Sequence, residues 1–310
     1  MHRRTSMFQL CQLTTMFVVF SLAFQGLSRA EDAPDTKKFA RIKVGDKTTF
    51  AIVEGDQVRE IKGNLFRKWE ETDITHALSD VKILVPTSAR HVFAMAGNYK
   101  SHLAGAEVPK KFQIPQPFFK SPSSLLPEGG VIRIPPGDEN VHYEAELVVV
   151  IGKRAKNVPV EKAMDYVFGL TCGNDVSART WQNDPETKDV QWWRGKGADT
   201  FGPCGPFIVQ GLDPSNLKMT LRLNGEVRQE ENTSQLLHDV PSTVSFISKH
   251  VTLLPGDLIF TGTPGKTDRM KSGDVVEVEI EGIGILRNTV AKKGERVKGA
   301  KGKKRKRKKD

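Results

Sequence analysis

Short apolar runs, broken by turns rich in glycine, proline and asparagine, recur along this chain, and helical spacing is scarce. That rhythm predicts many short strands and few helices, a β-rich α+β fold. Phe39 to Ile61 reads as a small antiparallel meander, with turns at Gly45-Asp46 and Glu54-Gly55-Asp56. Asn64 to Ser79 has mixed polarity and is expected to contain a helix. Val81 to Val85 and Pro86 then lead out of a small N-terminal unit, residues 38–85, read as a support for a larger domain over 86–291. In that domain Val92 to Gly97 reads as a buried strand, and Leu258 to Phe260 as a strand feeding Thr261. Asn224-Gly225 signals a hairpin. Val275 to Ile280 alternates apolar residues with glutamate, the pattern of a half-exposed strand. Val240 to Val251 carries Val244, Ile247 and Val251 at helical spacing behind Pro241, and predicts a helix.

Candidate chemistry enters where an apolar strand meets acids. Leu147-Val-Val-Val-Ile151 is continuous and β-branched, so it reads as buried. Glu144 and Glu146 lie just before it on the same strand, two residues apart, which puts both carboxylates on one strand face about 6.5 Å apart. Such a pair is either the solvated face of an antiparallel sheet or a site for a divalent cation, since hard cations prefer carboxylate oxygens. Asp175 ends another apolar run that starts at Tyr166, and Lys196 sits between Gly195 and Gly197. Three acids and a lysine on strand ends make a metal site with a cationic helper.

The order of motifs extends this. His142 to Ile151, Asn174-Asp175 through Arg179 and Gln182, Lys196 to Pro206, Thr261-Gly-Thr263-Pro264-Gly and Glu281 to Asn288 together resemble the fumarylacetoacetate hydrolase family, from about Pro86 to Val290. The resemblance implies a mixed β-sandwich roll, a homodimer, and Mg²⁺ (or Mn²⁺ or Ca²⁺) held by Glu144, Glu146 and Asp175. It implies a small anionic 2-oxo acid substrate, with Lys196, Arg179, Gln182 and Thr263 holding its carboxylate and stabilising an enolate. Asn98-Tyr99-Lys100-Ser101-His102 is similar to a family run whose histidine activates water; Tyr99 is counted with the substrate-binding residues and His102 as catalytic. Many relatives place a glutamate three positions after that histidine, where this chain has Gly105. Glu107 could serve instead if the loop folds back, which Gly105 would permit. Without such a pair His102 could also be structural. Residues 103–116 read as a mobile loop able to close over the site, and Lys120, in the family-like run Gln116 to Ser124, either steers an anionic substrate or is solvated.

The expected activity is hydrolysis of a carbon–carbon bond in an acylpyruvate or fumarylacetoacetate-like 2-oxo acid. Isomerase, decarboxylase or lyase chemistry on a related dicarboxylate (hydroxymuconate, hepta-diene-dioate, oxaloacetate or ureidoglycolate type) would use the same enolate. A non-catalytic carboxylate binder is the reading from another class.

Charge changes the picture only at the ends. The net charge is +10, yet Lys292 to Asp310 holds twelve Lys/Arg and two acids, and the first thirty residues hold three arginines and no acid. The body, 31–291, carries 32 basic and 35 acidic residues, a net of −3. The basic tail should be disordered and could meet an anionic surface or stay solvated; a specific nucleic-acid partner is not expected. Arg3-Arg4, an apolar core from Met16 to Phe24 and Ser28-Arg29-Ala30 describe a signal peptide over 1–30, hence export to the periplasm or beyond. Cys172 and Cys204 could pair in an oxidising compartment or act as small buried hydrophobes. No Walker loop, Gly-x-Ser-x-Gly elbow or His-Glu-x-x-His is present, which argues against a nucleotide enzyme, a serine hydrolase and a zinc protease.

Overall fold

The computed structural model describes residues 36–103 and 107–295. The signal-peptide segment, Gly105 and nearly all of the basic tail lie outside the described residues. The fold is strand-rich, with mixed sheets and short helices. The N-terminal meander runs through Lys37–Val44, Lys47–Glu54 and Gln57–Gly63. It gains a fourth strand, Trp69–Ala77, where mixed polarity points to a helix. Long-range pairing overrides that local signal: Trp69–Ala77 lies antiparallel to Gln57–Gly63, and the Thr72 hydroxyl donates to the Glu60 carbonyl at 2.8 Å. Thr72, Ile74 and Thr75 are β-branched, which suits a pleated backbone.

The meander is continuous with the main sheet. Lys37–Val44 pairs antiparallel with Gly202–Gln210, and Val167–Asn174, Ala145–Ile151, Leu258–Phe260, Val92–Met95 and Pro117–Lys120 follow in that order. A second sheet has five strands, in the order Glu226–Asn232, Lys218–Leu223, Val275–Ile280, Gly284–Lys292 and Val131–Ile134. Its hairpin turns at Asn224 and Gly225, whose φ values of 54° and 84° suit an Asn-Gly turn.

Ala145–Ile151 shows why the apolar run is continuous. Leu147, Val149 and Ile151 share a core with Met219, Leu221 and Val278 of the second sheet. Val148 and Val150 face the other way, into a core with Phe39, Ile52 and Phe260. A strand covered on both faces has no polar positions to alternate with. Burying each such side chain contributes roughly 1.5–3 kcal/mol. The predicted helix forms over Val240–His250, capped by Asp239, which accepts from Ser242 N at 2.8 Å. Cys172 and Cys204 are free and buried, and burial raises both thiols above the usual cysteine range.

Candidate active site

The open end of one antiparallel strand pair gathers the acids. Glu144 and Glu146 share the face of Val148 and Val150, at the start of Ala145–Ile151. Asp175 directly follows the neighbouring strand, whose Asn174 is registered against Ala145. Asp175 N donates to the Glu144 carbonyl at 2.8 Å, and Glu144 N donates to Asn174 Oδ1 at 2.8 Å. The three carboxylates each place an oxygen within 4.8 Å of the others, and the residues are only 3 %, 1 % and 1 % exposed. A solvated sheet face is thereby excluded.

Lys196 arrives on a different element from the strand end that its glycine-flanked position suggests. It lies on the short helix Trp193–Gly197. Asp189 holds the start of that helix, accepting from Arg194 N at 2.8 Å and Gly195 N at 3.0 Å. The flanking glycines permit close approach: a Cβ would sit 3.4 Å from the Ala178 carbonyl at Gly195 and 3.2 Å from Ser121 N at Gly197. Lys196 Nζ reaches Glu144 Oε2 at 2.5 Å and Asp175 Oδ2 at 2.6 Å. Lys120 is a second buried ammonium, neither solvated nor free to steer a ligand; it donates to Asp175 Oδ1 at 2.6 Å and to the Lys196 carbonyl. Arg179 is also committed, with Nη2 donating to Glu144 Oε1 at 2.5 Å and Thr267 Oγ1 at 2.7 Å, and Nη1 to Gln182 Oε1 at 2.7 Å. It orients Glu144 and Gln182, and it also lines the cleft beside them.

Charge is shared unevenly among the three acids. Burial pushes the Glu144 carboxyl up, but Lys196 and Arg179 outweigh it and hold the group below the usual carboxylate range. Glu146 accepts from Gly262 N at 2.7 Å and makes no ion pair among the described residues. Burial, then Asp175 and Glu144, push its carboxyl well above the usual range. Burial pulls both lysines down; Asp175 and Glu144 more than offset this at Lys196, while Lys120 stays below the usual lysine value. Three hard oxygen donors, one of them lacking a counter-charge, fit a divalent cation.

A cleft of about 440 Å³ opens beside this centre, with Glu144, Lys196, Gln182 and Thr263 at one end and Lys111, Phe112 and Trp192 on its walls. His102 lines it from the 3₁₀ turn Lys100–His102. Its Nδ1 donates to the Gly265 carbonyl at 2.7 Å, because a carbonyl can only accept, so Nε2 is left as an acceptor. Ser101 Oγ accepts from Gly265 N at 3.1 Å, clasping the same turn. Glu107 is exposed, does not line the cleft and has no hydrogen bond among the described residues. The expected contact with His102 is not made, since Gly265 takes the ring nitrogen a carboxylate would need. Tyr99 likewise does not line the cleft: it is 0 % exposed, packed in the core, and its hydroxyl has no hydrogen-bond partner among the described residues. Past the turn, Lys110–Phe112 forms a second 3₁₀ turn instead of open loop.

Two residues of the site carry no sequence signal. Gln229 sits in the polar run Glu226 to Asn232, which reads as solvated, yet it alone is buried in that strand. Thr267 lies in a polar turn, lines the cleft and contacts both Arg179 and His142.

A buried carboxylate triad and a buried lysine beside a cleft, on a strand-built roll, form a candidate active site able to accept a divalent cation. The chain belongs to the fumarylacetoacetate hydrolase family: the fumarylacetoacetate (FAA) hydrolase C-terminal family model matches residues 91–291, and the Rv2993c-like, N-terminal model matches 37–86. The structure of 5-carboxymethyl-2-hydroxymuconate delta-isomerase from Mycobacterium smegmatis is similar at 40 % identity and a TM-score of 0.76, over 83 % of this chain and 100 % of that one. The mitochondrial oxaloacetate tautomerase of Xenopus laevis is 40 % identical over 223 residues, 68 % of this chain and 69 % of its own length. Maleylpyruvate hydrolase from Sphingobium sp. SYK-6, solved with manganese(II) and pyruvate, is 26 % identical with a TM-score of 0.66, over 82 % of this chain and 99 % of that one. The family thus contains isomerases, tautomerases and hydrolases.

Proposed function

We propose that this protein is a divalent-metal-dependent isomerase of the keto–enol type, acting on a small dicarboxylic 2-oxo acid. The observation that carries this reading is the setting of His102, whose Nδ1 is committed to the Gly265 carbonyl at 2.7 Å and which has no hydrogen bond to a carboxylate among the described residues. A histidine held this way can carry one proton between carbon and oxygen. Among the described residues it lacks a hydrogen-bonded carboxylate of the kind that orients a general base while water attacks a carbonyl carbon. The 40 % identity to an isomerase and to a tautomerase supports the same choice over hydrolysis.

Glu144, Glu146 and Asp175 would hold the cation, which as a Lewis acid polarises a 2-oxo group. The remaining work falls to side chains. Gln182 gives its Oε1 to Arg179 and so turns its amide donors outward, where, with the Thr263 hydroxyl, they hold the substrate carboxylate. Lys111, on the cleft wall, faces the distal carboxylate. His102 Nε2 takes a proton from C3, the C–H electron pair forms the C2–C3 double bond, and the oxo oxygen takes the charge. The Lys196 ammonium stabilises that charge. Returning the proton to oxygen gives the enol; returning it to a distal carbon of a conjugated substrate moves the double bond.

The test is a panel of oxaloacetate, hydroxymuconate-type and acylpyruvate substrates with Mg²⁺ or Mn²⁺, before and after chelation. Proton transfer should be metal-dependent and should fall about 10²–10⁴-fold in His102→Ala. Glu107→Ala should stay within about twofold of wild type, as for an uncoupled surface residue. Cleavage of acylpyruvates, equally lost in both variants, would make the enzyme a hydrolase instead.

A further inference from the structure

Gln229 reaches into the candidate site from the second sheet, on Glu226–Asn232, and every hydrogen-bonding group of its amide is used. Its Oε1 accepts from Ala145 N at 3.0 Å. Its Nε2 donates to the Pro264 carbonyl at 2.6 Å and to Thr263 Oγ1 at 3.0 Å. The orientation of the amide is forced at both ends, because a backbone N–H can only donate and a carbonyl can only accept. The Thr263 hydroxyl must therefore accept from Gln229. Its own hydrogen has no acceptor among the described residues, and Thr263 lines the cleft. Ala145, at the other end of the amide, lies between Glu144 and Glu146. One buried side chain, 4 % exposed, thus ties the carboxylate strand to the Thr263 turn.

We infer that Gln229 is a positioning residue that sets the polarity of Thr263, so that this hydroxyl donates to an oxygen of a bound 2-oxo acid. The inference rests on the 2-oxo-acid reading above and adds a residue to it. Glutamate at position 229 would be nearly isosteric and, ionised, could only accept. It would capture the Thr263 hydrogen and turn the hydroxyl away from the ligand. Methionine would remove the donors without capturing that hydrogen. The two substitutions therefore differ in chemistry where they are alike in shape.

Oxalate, a planar mimic of a 2-oxo-acid enolate, is the probe, and its affinity for the full chain is measured by calorimetry in saturating Mn²⁺. Thr263→Val and Gln229→Glu should each weaken oxalate about tenfold, the loss of one hydrogen bond to a charged group. Gln229→Met should lose less. The double variant Gln229→Glu/Thr263→Val should bind no worse than either single variant, since Gln229 acts through a hydroxyl already gone. Thr263→Ser should retain wild-type affinity. Thermal unfolding of the metal-free proteins gives a readout independent of the ligand: a structural role alone would make oxalate losses track the loss of melting temperature, with methionine and glutamate alike. That outcome, additive losses in the double variant, or unchanged oxalate affinity in Gln229→Glu would overturn the inference alone. A wild-type protein that binds no oxalate would overturn the 2-oxo-acid reading and this inference with it.

Discussion

Replacing Lys196 with methionine lowers turnover of the 2-oxo acid by about 10²–10³-fold and, in the absence of metal, also destabilises the fold. The first effect follows from placement: Lys196 lines the cleft with its ammonium beside the carboxylates that would hold the metal in the proposed reaction. The loss should fall on kcat if the charge acts in the transition state, and on KM if it only anchors substrate. The second effect follows from the ion pairs. Lys196 Nζ lies 2.5 Å from Glu144 and 2.6 Å from Asp175, with all three groups buried. Removing one partner of a buried pair costs about 3–5 kcal/mol, because the carboxylates are left uncompensated. Mn²⁺ supplies the missing charge, so the melting temperatures of variant and wild type should converge as Mn²⁺ is added. Calorimetric scans across a Mn²⁺ series check this. Unaltered kcat and KM would remove Lys196 from the mechanism, and a gap indifferent to Mn²⁺ would mean the carboxylates do not hold the ion.

Glu144→Gln and Glu146→Gln should both lower Mn²⁺ affinity, by at least about a hundredfold, yet move metal-free stability in opposite directions. Glu144 is ion-paired to Lys196 and Arg179, so its neutral isostere strands two buried cations and destabilises. Glu146 has one backbone donor, Gly262 N, and two carboxylates for neighbours. Folding raises this carboxyl, which costs stability at any pH above its ordinary range, and the neutral isostere carries no such cost, so Glu146→Gln should unfold at a higher temperature than wild type at neutral pH when metal is absent. Isothermal titration with Mn²⁺ and unfolding scans in chelator read the two effects separately. Equal destabilisation by both variants would show that Glu146 has a counter-charge in solution. Undiminished Mn²⁺ affinity in both would place the ion elsewhere.

The chain's local chemistry made much of this legible in advance. The continuous β-branched run Leu147 to Ile151 reads as a buried strand, and Glu144 and Glu146 at spacing two then share a face. The Asn224-Gly225 hairpin and the capped helix Val240–His250 are likewise set by residues close in sequence. Asp175 and Lys196 stood out by type and by the motifs around them.

What needed the tertiary structure was every feature made by residues distant in sequence. Trp69–Ala77 is a strand because Gln57–Gly63 offers it backbone partners that a helix of mixed polarity could not match. Lys120 is buried because Asp175 and the Lys196 carbonyl, far along the chain, take its charge. Tyr99 turned into the core, although its type suits a substrate, and Arg179 met Glu144, Gln182 and Thr267 at the cleft. His102 found the Gly265 carbonyl instead of Glu107, and Gln229, hidden in a run of exposed polar residues, became a link between two parts of the site. Residue type and spacing determine which groups are available and which face of an element carries them. Which of those groups meet depends on the pairing of remote strands and turns, and a hydrogen-bond donor or a charge takes the partner that the fold brings within reach.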